Sequence, residues 1–122
     1  MADNFAITDM DVRTQCLRDA GGDFHKAAAL YQAIGPLEDY VSMQMIACLV
    51  ARVRRGRNIG HKIMTMLEDE LRKGGWRSRS GRVIFPRAQL HTAAQHILSL
   101  PGVGFGRAHS IRCAFEEFGI KI

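Results

Sequence analysis

Glycine cuts this chain into pieces of helix length. Of its twelve glycines, Gly21-Gly22, Gly35, Gly56, Gly74-Gly75, the set at 102, 104 and 106, and Gly119 fall between apolar segments of about 11 to 20 residues. Glycine is a poor residue inside a helix and a good one just past its end, so this spacing predicts short helices joined by tight turns. The segments read accordingly. Thr8 caps a helix over 9–20, with Asp9 and Asp11 at its positive end. Asp23 caps a second over 24–34, with Ala27, Leu30, Tyr31 and Ile34 on one face. Pro36 opens a third, 36–55, apolar on nearly every side through Val41, Met45, Cys48, Leu49 and Val53, which places it centrally. Asn58 caps a fourth over 59–73 with a ridge of Ile59, Ile63, Leu67 and Leu71. Helices over 86–99 and 106–118 follow.

The expected fold is therefore all-α, a compact bundle of about six short helices. "RVIF" (82–85) is extended in character but has no second strand pattern to pair with. The 122 residues suit one domain, with an acidic helical scaffold over 1–57 and a basic half over 58–122. No apolar run reaches the roughly 20 residues a membrane span needs, and "MADNFAITDMD" lacks the pattern of a signal peptide. Cys16, Cys48 and Cys113 form no CxxC pair and read as buried free thiols of a reducing, cytoplasmic environment.

The charge is divided unevenly. Residues 1–51 hold seven acids and three bases, net −4, whereas residues 52–122 hold fourteen bases and five acids, net +9. "RVRRGR" (52–57) and the acid-free stretch containing Arg72, Lys73, Arg77, Arg79, Arg82 and Arg87 concentrate it. A lopsided chain of this kind offers a positive surface to a polyanion.

Within the basic half, "LPGVGFGRAHSI" (100–111) joins two helices by a turn too short to be relaxed. Glycine supplies backbone angles closed to other residues, and Val103 can sit between the helices as a plug. Amide groups opening the second helix lack intrahelical partners and lie at its positive end. Without side chains at Gly102, Gly104 and Gly106, a phosphate oxygen can approach them, with Arg107 alongside.

In Leu100, Pro101, Gly102, Val103, Gly104, Ala108 and Ile111 the segment 96–119 resembles the helix-hairpin-helix family of DNA-binding motifs. The resemblance covers about a fifth of the chain. It implies that the amides of Gly102, Gly104 and Arg107 bind consecutive phosphates of one strand without reading bases, in DNA, duplex ahead of RNA. In some members carbonyls matching those of Leu98, Leu100 and Val103 hold a monovalent cation. Phe105 and Gly106 stand where many members carry proline and lysine.

"CLRDAGGDFHKAAAL" (16–30) aligns without gaps on 97–111, bringing Gly21 over Gly102, Asp23 over Gly104, Phe24 over Phe105 and Lys26 over Arg107. Such domains often pair two hairpins, and Asp23 would make the earlier one structural, because it repels phosphate. The same stretch also resembles the opening of a helix-turn-helix of the factor-for-inversion type, the signature of a transcriptional regulator. Its short turn and third helix would fall at 35–45, where "PLEDYVSMQMI" is acidic and then apolar, unsuited to a major groove.

Trp76, set among Arg77, Arg79 and Arg82 in the glycine–serine loop 74–82, suits stacking on an unpaired base while the arginines hold phosphates. With Arg54 and Arg55 these residues complete the expected binding face. Catalysis has no footing: no histidine pair has metal spacing, no HExxH, GxSxG or Walker-type loop occurs, and the acids read as helix-end or solvated sets. The expectation is a non-enzymatic nucleic-acid-binding protein without metal or cofactor, for which a homodimer would double a weak hairpin. The alternative is a small adaptor or inhibitor of the phage or mobile-element type, docking on an acidic protein surface.

Overall fold

The computed structural model of the chain describes residues 7–56, 59–76 and 84–122. Over these the protein is all-α, with six helices and one small sheet. The order is α1 (Asp9–Asp19), α2 (Phe24–Ile34), a 3-10 turn (Leu37–Asp39), β1 (Tyr40–Ser42), α3 (Met43–Arg54), α4 (His61–Lys73), β2 (Ile84–Pro86), α5 (Arg87–Leu98) and α6 (Phe105–Glu117). Helices α1 and α2 form a hairpin, α4 packs along α5, and α3 packs on α6.

Each helix start has a local cause. The Thr8 hydroxyl accepts from the Asp11 amide while the Asp11 carboxylate accepts from that of Thr8, a reciprocal capping box. Asp23 caps α2, and the Ser42 hydroxyl caps α3 by accepting from the Gln44 amide. Asn58 lies outside the described residues, and Gly60 is the N-cap of α4.

Three helices end in the same way. Gly21, Gly75 and Gly119 take positive φ of 63°, 102° and 78°, letting the next residue's amide reach back to a carbonyl five residues earlier. At the end of α4 this next residue is Trp76, whose amide donates to the Leu71 carbonyl at 3.1 Å. The device turns an apolar residue back over its own helix, and it seats Trp76 and Ile120 in the core.

The expected third helix differs. Residues 37–42 form the 3-10 turn and β1, which pairs antiparallel with β2: Val41 lies opposite Phe85, and both are buried. The β-branched Val41 and the aromatic Tyr40 suit a strand, and Phe85 supplies the partner that local pattern could not reveal. The helix proper begins only after Ser42, and Ile84 and Phe85 of "RVIF" belong to a sheet after all, while Arg82 and Val83 lie outside the described residues.

The core joins Ile46, Leu49 and Val53 of α3, the α4 ridge Ile63, Leu67 and Leu71, Leu90, Ala93, Ala94 and Ile97 of α5, and Ile111 and Phe115 of α6. Helix α3 is accordingly central, although Gln44, Ala47 and Ala51 face solvent. Helix α2 departs from expectation: none of its residues is buried, and Leu30 and Tyr31 of the supposed inner face are exposed. Cys16 is buried, Cys48 and Cys113 half-buried, and all three are free thiols. Among the described residues no helix is long and apolar enough to cross a membrane.

Candidate nucleic-acid interface

The corner between α5 and α6 is built from residues 99–104. Ser99 ends α5, and the Val103 amide donates to the Leu100 carbonyl at 3.3 Å across Pro101 and Gly102. Proline fixes the first central angle and Gly102, at φ 88°, supplies the positive second one, a type II turn. Val103, Leu98 and Leu100 are partly buried against the core, so the plug expected of Val103 is in place. The Leu100 carbonyl implied for a monovalent cation is thus already used once, with a lone pair to spare.

Beyond the plug the corner is bare. Pro101, Gly102, Gly104, Phe105 and Gly106 are all exposed, and Gly104 is the N-cap of α6 with no side chain capping it. The first intrahelical bond runs from the Ala108 amide to the Gly104 carbonyl. Among the described residues, the four amides of 104–107 therefore have no acceptor. A Cβ placed at Gly104 or Gly106 would meet nothing within 4 Å, and neither has a positive φ. Neither packing nor backbone angle requires glycine there. At Gly102 the angle does require it.

Electrostatics at this helix run against the usual preference. Its first turn holds Arg107 and no acid, and its last holds Glu116 and Glu117 and no base. Helix dipoles favour the reverse arrangement, by roughly 0.3–1 kcal/mol for each charge. An anion at the amides of 104–107 would relieve the clash at the positive end.

The earlier corner supplies the comparison. Gly21 has positive φ as Gly102 does, and the Asp23 carboxylate accepts from the amides of His25 at 2.9 Å and Lys26 at 3.2 Å. Phe24 is exposed, as is Phe105 at the aligned position. One corner carries its own anion on the helix amides; the other presents the amides alone.

The other candidates separate. Trp76, expected to stack on a base, is 5% exposed, packed in the core with the Arg72 guanidinium 5.9 Å from its ring. It is a core residue because its place after Gly75 turns it inward, and it leaves the binding face. Arg77, Arg79 and Arg82 lie outside the described residues, as does Arg57. Arg54 pairs with Glu68 across to α4, while Arg55 is exposed with no acidic partner among the described residues. Arg52 holds Glu117 through two hydrogen bonds of 2.9 and 3.0 Å. That clasp sets the end of α3 beside the end of α6, about 18 Å along the helix from the α5–α6 corner by the rise of 1.5 Å per residue. The arginines of 52–55 and the α5–α6 corner thus occupy opposite ends of α6 rather than one patch.

The region expected to hold a recognition helix contains the 3-10 turn and β1, so the three-helix arrangement of a helix-turn-helix is not formed there. Among the described residues no three His, Cys, Asp or Glu side chains are grouped to hold a metal ion. Comparison with protein-family models, with curated proteins and with solved structures found no match.

Proposed function

We propose that the protein binds the sugar–phosphate backbone of nucleic acid, DNA first, through the hairpin at 100–107, and that it does so without catalysis. The observation that carries this reading is the row of four amides at 104–107, bordered by glycines that the chain's own packing does not need. Backbone amides at a helix start bind phosphate oxygens, and Arg107 adds a charge. Contacts of this kind position a protein and carry no sequence code, so affinity should vary little with base sequence. Arg55, one helix length away and without an acidic partner among the described residues, would meet the same polyanion about five base pairs on, at 3.4 Å per step. Arg77, Arg79 and Arg82 add to the positive field of this half of the chain. The free thiols suit work in the cytoplasm.

Fluorescence anisotropy with random duplex, single-stranded and RNA probes at 50 and 200 mM salt tests the reading. With about five phosphates neutralised, log affinity should fall with log salt at a slope of roughly −4 to −5. No binding at the lower salt would sink it.

A second reading, a small protein-binding adaptor of the mobile-element type, has its own support. Helix α2 buries none of its residues, and Met10, Phe24, Leu30 and Tyr31 are exposed on the α1–α2 hairpin. Phe24 and Tyr31 line one open groove with Leu17, Ala27 and Ala28, and an exposed apolar patch of this sort marks contact with another protein. Recovery of one acidic partner by pull-down, without any nucleic-acid binding, would favour it.

A further inference from the structure

Phe105 is the most exposed large hydrophobic side chain described, at 97%. It is the first residue of α6, and both its neighbours in sequence are glycines. Among the described residues no side chain shields its ring, and a phenylalanine left in water gains nothing for the folded state. Lipid is a poor match, since membrane-surface binding needs a broad apolar face and this ring stands among Pro101, Gly102, Gly104 and Gly106. A flat apolar group joined to an anionic backbone is a better one. Nucleobases have that chemistry, but in continuous duplex their faces are covered by one another.

We propose that Phe105 stacks on an unpaired nucleobase while the amides of residues 104–107 hold the adjoining phosphate, so that the protein prefers single strands, ends and bulges to continuous duplex. The inference rests on the backbone-binding reading and deepens it by naming the form of nucleic acid. Stacking on an aromatic side chain tolerates any base, so the preference is for structure and not for sequence. Phe24, in the aligned position of the earlier corner, is an internal control. It is also exposed, but the Asp23 carboxylate already sits on the neighbouring amides and repels phosphate.

The test compares three probes of one sequence: a blunt 20-base-pair duplex, the same duplex with one extrahelical 2-aminopurine, and the single strand. The protein should bind the bulged and single-stranded probes roughly five- to a hundredfold more tightly than the blunt duplex. It should also quench the 2-aminopurine. Phe105→Ala should abolish both the preference and the quenching and retain duplex binding, Phe105→Trp should restore them, and Phe24→Ala should change neither. Equal affinity of the parent protein for all probes, or a preference that survives Phe105→Ala, overturns the stacking role and leaves backbone binding standing. Failure to bind any probe overturns both. Phe105-dependent binding to phosphatidylserine vesicles, without discrimination between the probes, would assign the ring to lipid instead.

Discussion

Asp23 and Gly104 hold the same position in two helix–glycine–helix corners, and only Asp23 carries an acceptor for the helix amides. The carboxylate of Asp23 takes the amides of His25 and Lys26, whereas α6 opens uncapped. Copying one corner onto the other follows directly. Gly104→Asp should cap α6 and raise stability by a few tenths of a kcal/mol, because glycine is the weaker of two acceptable N-caps. Its carboxylate should occupy the amides proposed to hold phosphate and so lower nucleic-acid affinity at least tenfold. Urea midpoints and anisotropy on one preparation separate these effects, and loss of both stability and binding would mean simple misfolding. The Asp23→Gly variant, by the same reasoning, should lose little stability.

Glycines in this chain answer to different demands, and alanine substitution should sort them. A Cβ at Gly74 would lie 2.7 Å from the Phe85 ring, with Gln89 closer still, so Gly74→Ala should destabilise by about 1–3 kcal/mol. Gly106 has open space and an ordinary backbone angle inside a helix. Gly106→Ala should stabilise by about 0.5–1 kcal/mol, and it should weaken the proposed phosphate binding by adding bulk to the bare helix start. Thermal melts of the two variants should move in opposite directions.

Trp76 is the chain's single tryptophan, so its fluorescence reports one site. Emission should be that of a buried indole, and added oligonucleotide should leave it unquenched. Trp76→Ala should cost about 3–5 kcal/mol in denaturant titration, as for other large aromatic truncations in a core. Quenching by single-stranded probes would put the ring back on the binding face.

Much of this architecture could be read from local pattern. The bounds of α2, the ridge of α4 and the turn, plug and exposed glycines of the α5–α6 corner were legible because each depends on residues a few positions apart. What escaped depended on distant partners. The strand at Tyr40–Ser42 exists because Phe85 lies opposite Val41, more than forty residues away. Helix α2 has an apolar stripe like any buried helix, and only the tertiary structure leaves it uncovered. Trp76 is a subtler case. Its inward turn was encoded in "LRKGGW", where glycine followed by an apolar residue marks a helix end that folds back, a signal eclipsed by the neighbouring arginines.

Because α2 buries no residue, its attachment to α1 leans on polar contacts, and these titrate. Tyr31 donates its hydroxyl hydrogen bond to the Asp9 carboxylate, Arg13 donates to the same carboxylate at 2.6 Å, and the Arg13 guanidinium lies 5.3 Å from the Tyr31 ring. The hydrogen bond from Tyr31, with Arg13 second, holds the Asp9 carboxyl below its ordinary value of 3.8, and the same bond to Asp9 raises the Tyr31 hydroxyl above 10.0. A depressed carboxyl stabilises fully above its unfolded value and ceases to as pH falls through the folded one; a raised hydroxyl stabilises below pH 10 and ceases to as pH climbs through its folded value. The clasp should therefore hold across the neutral range and open at both extremes, less firmly in high salt because every member is solvent-facing. NMR titration should place the Asp9 transition below that of an unperturbed aspartate. Tyr31→Phe should move it upward and speed amide exchange in α2 while exchange in α3 and α5 stays slow. Equal acceleration in all three helices would show that α2 is part of the main cooperative unit and that the clasp is incidental.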